Sequence, residues 1–193
     1  MEGDIDNQKT NNKLSCNKKD ILDLIKYIVI AILIVIPVRM FIAQPFIVSG
    51  ESMFSTFLDG DYLIIDEISY HLREPHRGDV VVFKYPLDTK RFFIKRIIGL
   101  PNEEIEIKSG VVSITNKENP EGFVLEEPYL KQEFIDDFNF KTGNEEFFVM
   151  GDNRARSSDS RYWGALPENL IIGRAFVRLL PLNNISYLPG NIK

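Results

Sequence analysis

Two residue types in this chain are enough to build a hydrolase: a serine, Ser52, in Gly50-Glu51-Ser52-Met53, and a lysine, Lys95, in Phe92-Phe93-Ile94-Lys95-Arg96-Ile97-Ile98. A serine hydroxyl attacks a carbonyl well only when a base takes its proton, and a lysine serves as that base if burial keeps its amine neutral. On a strand, Phe93, Lys95 and Ile97 share one face, so the amine is set among apolar neighbours. Its pKa then falls from the free value of about 10.4. Arg96 points to the opposite face and reads as a surface or ion-pairing residue. The glycine before the serine allows close approach of a substrate backbone, and the Ser52 amide can face a developing oxyanion. Taken alone, Ser-Met also fits an ordinary loop, and Lys95 a solvated strand lysine. The other possible bases are His71 and His76, which flank a short polar stretch. Spacing does not decide against a Ser-His-Asp arrangement, because such triads assemble in space.

The elements that must position these groups are mostly strands. Asp61–Glu67, Asp79–Lys84, Arg91–Gly99, Phe147–Met150 and Leu170–Leu180 are rich in Ile, Val, Phe and Tyr and bounded by turn residues. Glu104–Lys108 and Val111–Thr115 alternate around Ser109-Gly110, a two-residue hairpin signal. No long segment of helical period follows residue 50, so the body is expected to be mainly β, an antiparallel sheet or barrel-like structure. Residues from about 103 to 145 are more polar and less regular, and read as a β insertion.

Ahead of that body lies a single apolar run. Residues 1–20 are polar and aperiodic and read as a tail, with Cys16 as a tolerated thiol. From 21 to 43 the chain reads as one transmembrane helix, although the charge-free stretch Tyr27–Val38 is shorter than the about 20 residues a bilayer core asks for. Lys26 and Arg39 would snorkel toward opposite interfaces, and Pro37 would kink or end the helix. A cleaved signal peptide fits less well, since Phe41-Ile42-Ala43 sets a large side chain where a small one is expected. Lys13, Lys18, Lys19 and Lys26 precede the run, and after Arg39 the next basic residue is Arg73. That asymmetry puts the tail in the cytoplasm and residues 44–193 outside, a single-pass protein of the cell membrane. The net charge of −5 argues against nucleic-acid binding. One cysteine forms no internal disulfide, and with two histidines no metal-site spacing arises, so neither metal nor cofactor is expected.

Four stretches in order carry a resemblance: VSGESMFSTFLDGD (48–61), RGDVVVFK (77–84), FIKRIIGLPNEEI (93–105) and MGDNRARSSDSRYWG (150–164). Together they resemble the type I signal peptidases of Gram-positive type, membrane-bound Ser/Lys proteases that remove signal peptides from exported proteins. The resemblance implies a mostly antiparallel β fold with Ser52 as nucleophile and Lys95 as general base. Ser157 falls where a hydroxyl orients the lysine amine, and Gly151 and Asp152 fall where backbone packs near it. Asp159 and Arg161 fall on a structural ion pair. The substrate peptide would add as an extended strand between the segment before Ser52 and the strand carrying Lys95, with Phe46, Val48, Gly50, Met53, Phe93 and Ile94 shaping its pockets. Small residues at −1 and −3 would be selected. The implied partners are the signal peptides of pre-proteins and the lipid bilayer, near the protein export machinery.

The chain departs from the family pattern at Ser55, where a proline is usual, and at Phe57, where a leucine is usual. Gly50 stands where some members place an oxyanion-hole serine. Two rival readings follow. A self-cleaving repressor-type Ser/Lys peptidase would need a DNA-binding N-terminal domain in place of the apolar run. A dedicated or catalytically silent relative would serve surface pilin assembly.

Overall fold

The computed structural model describes residues 18–41, 43–132 and 134–191. It divides into two units, 1–38 and 39–193. The first carries most of helix α1 (Lys18–Phe41), 24 residues whose described side chains, through Val35, are exposed, Leu22 and Leu33 among them. The helix opens at Lys18, so Lys18–Asp20 belong to it and not to a tail, and it continues past Pro37 to Phe41. The rest of the expected tail, with Cys16, lies outside the described residues. Among the described residues no helix is long and apolar enough to cross a membrane.

The second unit is mainly antiparallel β. Its strands are β1 (Ala43–Ile47), β2 (Tyr62–Asp66), β3 (Val80–Tyr85), β4 (Asp88–Gly99), β5 (Glu104–Lys108), β6 (Val111–Thr115), β7 (Phe123–Val124), β8 (Phe138–Lys141), β9 (Glu146–Met150), β10 (Leu166–Pro167), β11 (Ile171–Leu180) and β12 (Ser186–Tyr187). Two one-turn helices, α2 (Ser69–Leu72) and α3 (Ser160–Trp163), lie between them. The larger sheet has eight strands in the order β1-β2-β11-β3-β4-β9-β10, with β12 alongside β11. This is an open path, so no barrel closes. The smaller sheet has four strands in the order β7-β6-β5-β8.

Alternation explains most of this. In β2 the pattern intermediate-buried repeats along Tyr62–Asp66, and in β5 and β6 every second residue is buried. Such period-2 strands bury one face and solvate the other. The β5–β6 hairpin turns at Ser109-Gly110, both at positive φ (49° and 82°), as its two-residue connection requires. The strands missed in the sequence, β1, β7, β8, β10 and β12, are short or hidden. β1 is five residues long and contains Pro45, which argues against a strand by composition.

Three apolar clusters hold the body together. One, around Met53, Phe57, Leu63 and Ile65, underlies the loop carrying Ser52. A second joins the two sheets through Ile98, Ile105, Ile114, Phe148 and Met150. The third packs Val81, Phe83, Ile97, Val149 and Leu166. At about 25 cal/mol per Å² of apolar surface removed from water, each buried side chain of this size contributes roughly 2 kcal/mol. That is enough to hold the strand carrying Lys95 rigid on both sides.

Candidate active site

The loop from β1 to β2 carries Ser52, and its geometry is set at both ends. The Val48 amide donates to the Asp61 carbonyl and the Gly60 amide to the Val48 carbonyl, each at 2.9 Å. Gly50 sits at φ +91°, a conformation L side chains rarely adopt, and its amide donates to Asp59 Oδ1 at 2.7 Å. Met53 and Phe57 are fully buried on the cluster below, so the loop is pinned while Ser52 stays half-accessible at its tip.

Lys95 meets it from β4. Its Nζ lies 2.7 Å from Ser52 Oγ and donates to the Ile94 carbonyl at 2.9 Å. Only 4% of Lys95 is exposed. Burial lowers its pKa to about 8, against the pull of the Asp159 and Asp152 carboxylates, which favour the charged form. The Phe93 ring, on the same strand face, lies 5.2 Å from Nζ. The face shared by Phe93, Lys95 and Ile97 is thus the one the alternation indicates.

The segment after β9 closes the other side. The Asn153 amide donates to the Ser52 carbonyl at 3.0 Å, and its side-chain amide to the Glu51 carbonyl at 3.0 Å. Asp159 is fully buried, accepting from the Gly151 amide at 3.1 Å and from Arg161 Nε and Nη2 at 2.8 and 2.9 Å. Ser157 Oγ is buried with no hydrogen-bond partner among the described residues. Gly151 has no room for a side chain: a Cβ there would overlap Ser157 Oγ and the Ser52 carbonyl oxygen. Gly151→Ala is therefore expected to cost about 2 kcal/mol and to lower kcat more than it raises KM. Urea unfolding beside steady-state cleavage kinetics checks both.

Arg96 is where the structure most sharpens the sequence reading. Of the two roles it could take, surface or ion-pairing, it takes the second, as the largest fully buried side chain among the described residues, with 0% exposure. Its Nε and Nη2 hold Asp152 at 2.8 and 2.6 Å, and Nη1 donates to the carbonyls of Gly78 and Gly190. Asp152 also accepts from Thr56 Oγ1, so one carboxylate links the serine loop to β4. Every arm of the guanidinium finds an acceptor, which is what lets a charge be buried. Two adjacent basic residues on opposite faces of a strand that is covered on both sides could have signalled this.

A cleft of about 480 Å³ runs from Ser52 and Lys95 between β1 and β4. Phe46, Val48, Phe93 and Ile94 line it, as do Ser49, Val82, Arg91 and Phe92, which the sequence reading did not single out. Val82 was findable only through pairing, since it stands opposite Ile94 in the β3–β4 ladder. Gly50 and Met53 do not line the cleft; Gly50 shapes the serine loop, and Met53 is core beneath it. Neither His71 nor His76 reaches the cleft; both are exposed, and His76 contacts Arg73. Among the described residues no cluster of three His, Cys, Asp or Glu is placed to hold a metal ion.

A serine hydroxyl touching a desolvated amine, at the end of an apolar cleft with open strand edges, is an arrangement suited to serine-based hydrolysis. The chain is a hydrolase of the serine protease class. More narrowly, it belongs to the signal peptidase family, peptidase S26, whose model matches residues 21–180. It is similar to a probable signal peptidase I-2 of Synechocystis sp., 37% identical over 97% of this chain and 86% of that protein. It is likewise similar to signal peptidase I of Leptolyngbya laminosa, 35% identical over 87% and 84%, and to signal peptidase I T of Bacillus subtilis, 32% identical over 92% and 96%. The crystal structure of a signal peptidase I from Enterococcus faecalis V583 matches with a TM-score of 0.46 and 28% identity, over 53% of this chain and 97% of that one. The chain is a type I signal peptidase by this membership, an enzyme of signal peptide processing.

Proposed function

We propose that this enzyme is anchored in the cell membrane and cleaves signal peptides after small-X-small sites, using Ser52 and Lys95 as a dyad. The observation that supports this most is the 2.7 Å contact between Ser52 Oγ and an amine held almost wholly out of water. Neutral Lys95 takes the Ser52 proton as the oxygen attacks the scissile carbonyl. The Ser52 amide stabilises the oxyanion, and the protonated amine passes its proton to the leaving nitrogen. Lys95 then activates water, which releases the acyl group and restores the serine. Ser157 orients the lysine amine, a role its unpartnered buried hydroxyl leaves open.

The substrate adds as a strand. β1 pairs only with β2, and β4 pairs with β9 only from Arg96 onward, so two edges stay free along the cleft. A peptide laid there takes main-chain bonds from the edges and sends alternate side chains to the apolar walls, which selects small residues at −1 and −3. The anchor is the apolar run 21–43, whose charge-free core Tyr27–Val38 is flanked by Lys26 and Arg39. The basic residues before it keep the N-terminus cytoplasmic and the body outside, beside the bilayer and the export machinery.

The test is cleavage of a pre-protein with an Ala-X-Ala site by the detergent-solubilised full chain, beside Ser52→Ala and a substrate with leucine at −1. Cleavage by the parent alone, at the small-residue site alone, is the expected result. Inactivity of the folded parent would overturn the reading in favour of a surface-assembly role. The pH profile adds a signed expectation. The working form of Lys95 is neutral, so kcat/KM rises with pH through about 8. At pH 7 only about a tenth of the amine is neutral, and activity there is about a tenth of its plateau. A profile already flat from pH 6 to 9 would remove Lys95 as the base.

A further inference from the structure

The inserted small sheet touches the catalytic body at one chemically unusual place. After β7 the chain carries Glu127 and Tyr129, and these reach the arginines that hold the loop around the dyad. Glu127 pairs with Arg154, accepting from Nη1 at 3.0 Å and also from Nη2. Both side chains are almost wholly buried, at 7% and 1% exposure. Arg154 Nε in turn donates to the Gly151 carbonyl at 3.2 Å. Tyr129 Oη donates to Glu127 Oε1 at 2.6 Å, and the Arg96 guanidinium carbon lies over its ring, 3.9 Å from the ring centroid. Burial, with Glu127 beside it, raises the Tyr129 pKa, so the phenol stays a neutral donor. The insertion thus reaches the Arg96–Asp152 pair through the Tyr129 ring.

We propose that Tyr129, fixed by Glu127, is a positioning residue for the Ser52–Lys95 dyad: its ring seals the Arg96–Asp152 pair and so keeps Asp152 from drawing a proton to Lys95. The inference rests on the dyad reading given above. Its physical basis is competition for one carboxylate. Asp152 and Asp159 are the two negative groups acting on Lys95, and each is committed to an arginine, Arg96 and Arg161 respectively. The remaining groups facing the amine are the Ser52 hydroxyl, the Ile94 carbonyl and the Phe93 ring, with Arg91 on the far side of that ring. A cation stacked on an aromatic face and shielded from water holds its counter-ion tightly. With water admitted beneath Arg96, Asp152 is freed in part and favours the protonated amine, and the desolvation of Lys95 also weakens. Both effects push the lysine titration upward, toward its unperturbed position.

The experiment uses the full detergent-solubilised chain as parent, Tyr129→Leu, Tyr129→Phe and Glu106→Gln. The last removes an exposed pair with Lys108 in the same inserted sheet and serves as a control. Two readouts run in parallel: cleavage kinetics across pH on an Ala-X-Ala pre-protein, and direct titration of Lys95 by NMR of the isotopically labelled, methylated amine. Tyr129→Leu is expected to lose about tenfold in kcat with KM little changed, and its Lys95 titration and rate profile should move alkaline together by about one pH unit. Tyr129→Phe keeps the ring but loses the bond to Glu127, so it should fall between the parent and Tyr129→Leu, while Glu106→Gln should stay within about twofold of the parent. A Tyr129→Leu chain with parental titration and kcat would overturn the proposal. So would loss of activity with an unmoved pH profile, since that reports fewer folded molecules and not an altered base. The titration needs no turnover. If the parent fails to cleave, the dyad reading falls, while the link from Tyr129 to Lys95 is still decided by whether the titration shifts. Should Tyr129→Leu not fold, Tyr129→Met keeps apolar bulk without a ring and is read the same way.

Discussion

Lys95→Met is expected to lower kcat/KM on an Ala-X-Ala pre-protein about a thousandfold or more, because general-base catalysis by a positioned group supplies roughly that factor. Ser52→Ala should fall at least as far, and the double variant no further, since the two act as one unit. Methionine matches the lysine stem in length and carries no charge, so the loss cannot be blamed on a collapsed cleft. Stability should move the other way. Lys95 has its pKa depressed in the folded state, to about 8 from 10.5. Between those values the unfolded chain binds more protons than the folded one, so the parent gains stability as pH rises from about 8 to 10.5 and loses it as pH falls through 8. Lys95→Met lacks that term. It should be more stable than the parent at pH 7, and the difference should shrink toward pH 10.5. Thermal melts across that range, beside the cleavage assay, check both halves. A stable, inactive Lys95→Met is the signature of a residue kept for chemistry at a cost in stability.

The second large effect is on the fold. Arg96→Met leaves Asp152 buried, at 1% side-chain exposure, with Thr56 as its remaining side-chain partner. Breaking a buried pair in this way costs about 3–5 kcal/mol, because the surviving charge keeps its desolvation penalty without its partner. Removing both charges together, as Arg96→Met with Asp152→Leu, should recover most of that loss, since a buried pair often only breaks even against apolar residues of like volume. Urea unfolding of the single and double variants decides it. If the single variant is as stable as the parent, the pair is not the keystone its burial suggests. The double variant should still cleave slowly, because Asp152 also ties the serine loop to β4 through Thr56.

How much of this could be read before the coordinates differs by element. Strands β5 and β6 were legible to the residue, because they alternate cleanly and turn at Ser-Gly. β4 was legible in type but not in length, since its first residues, from Asp88, are polar and exposed. Strand β1 was not, because Pro45 in the short segment Ala43–Ile47 argues against a strand. The barrel-like expectation came from seeing many antiparallel strands. Closure depends on which edges meet, and here β1 and β10 end an open path. The apolar run itself was plain, while its helix begins earlier than expected, among charges.

The site divides along the same line. By itself the sequence determined the reactive residue types, the apolar strand face shared by Phe93, Lys95 and Ile97, and the order of the motifs, because these are local properties of side-chain type and period 2. Tertiary structure alone decided that Ser52 and Lys95 touch, that Lys95 is almost wholly buried, and that Arg96 is buried on Asp152. It also decided that Tyr129, from an insertion that reads as separable, lies under that arginine. Each of these depends on desolvation and on distances between segments far apart in the chain. A residue's charge state follows from what surrounds it in space, and no local pattern encodes that.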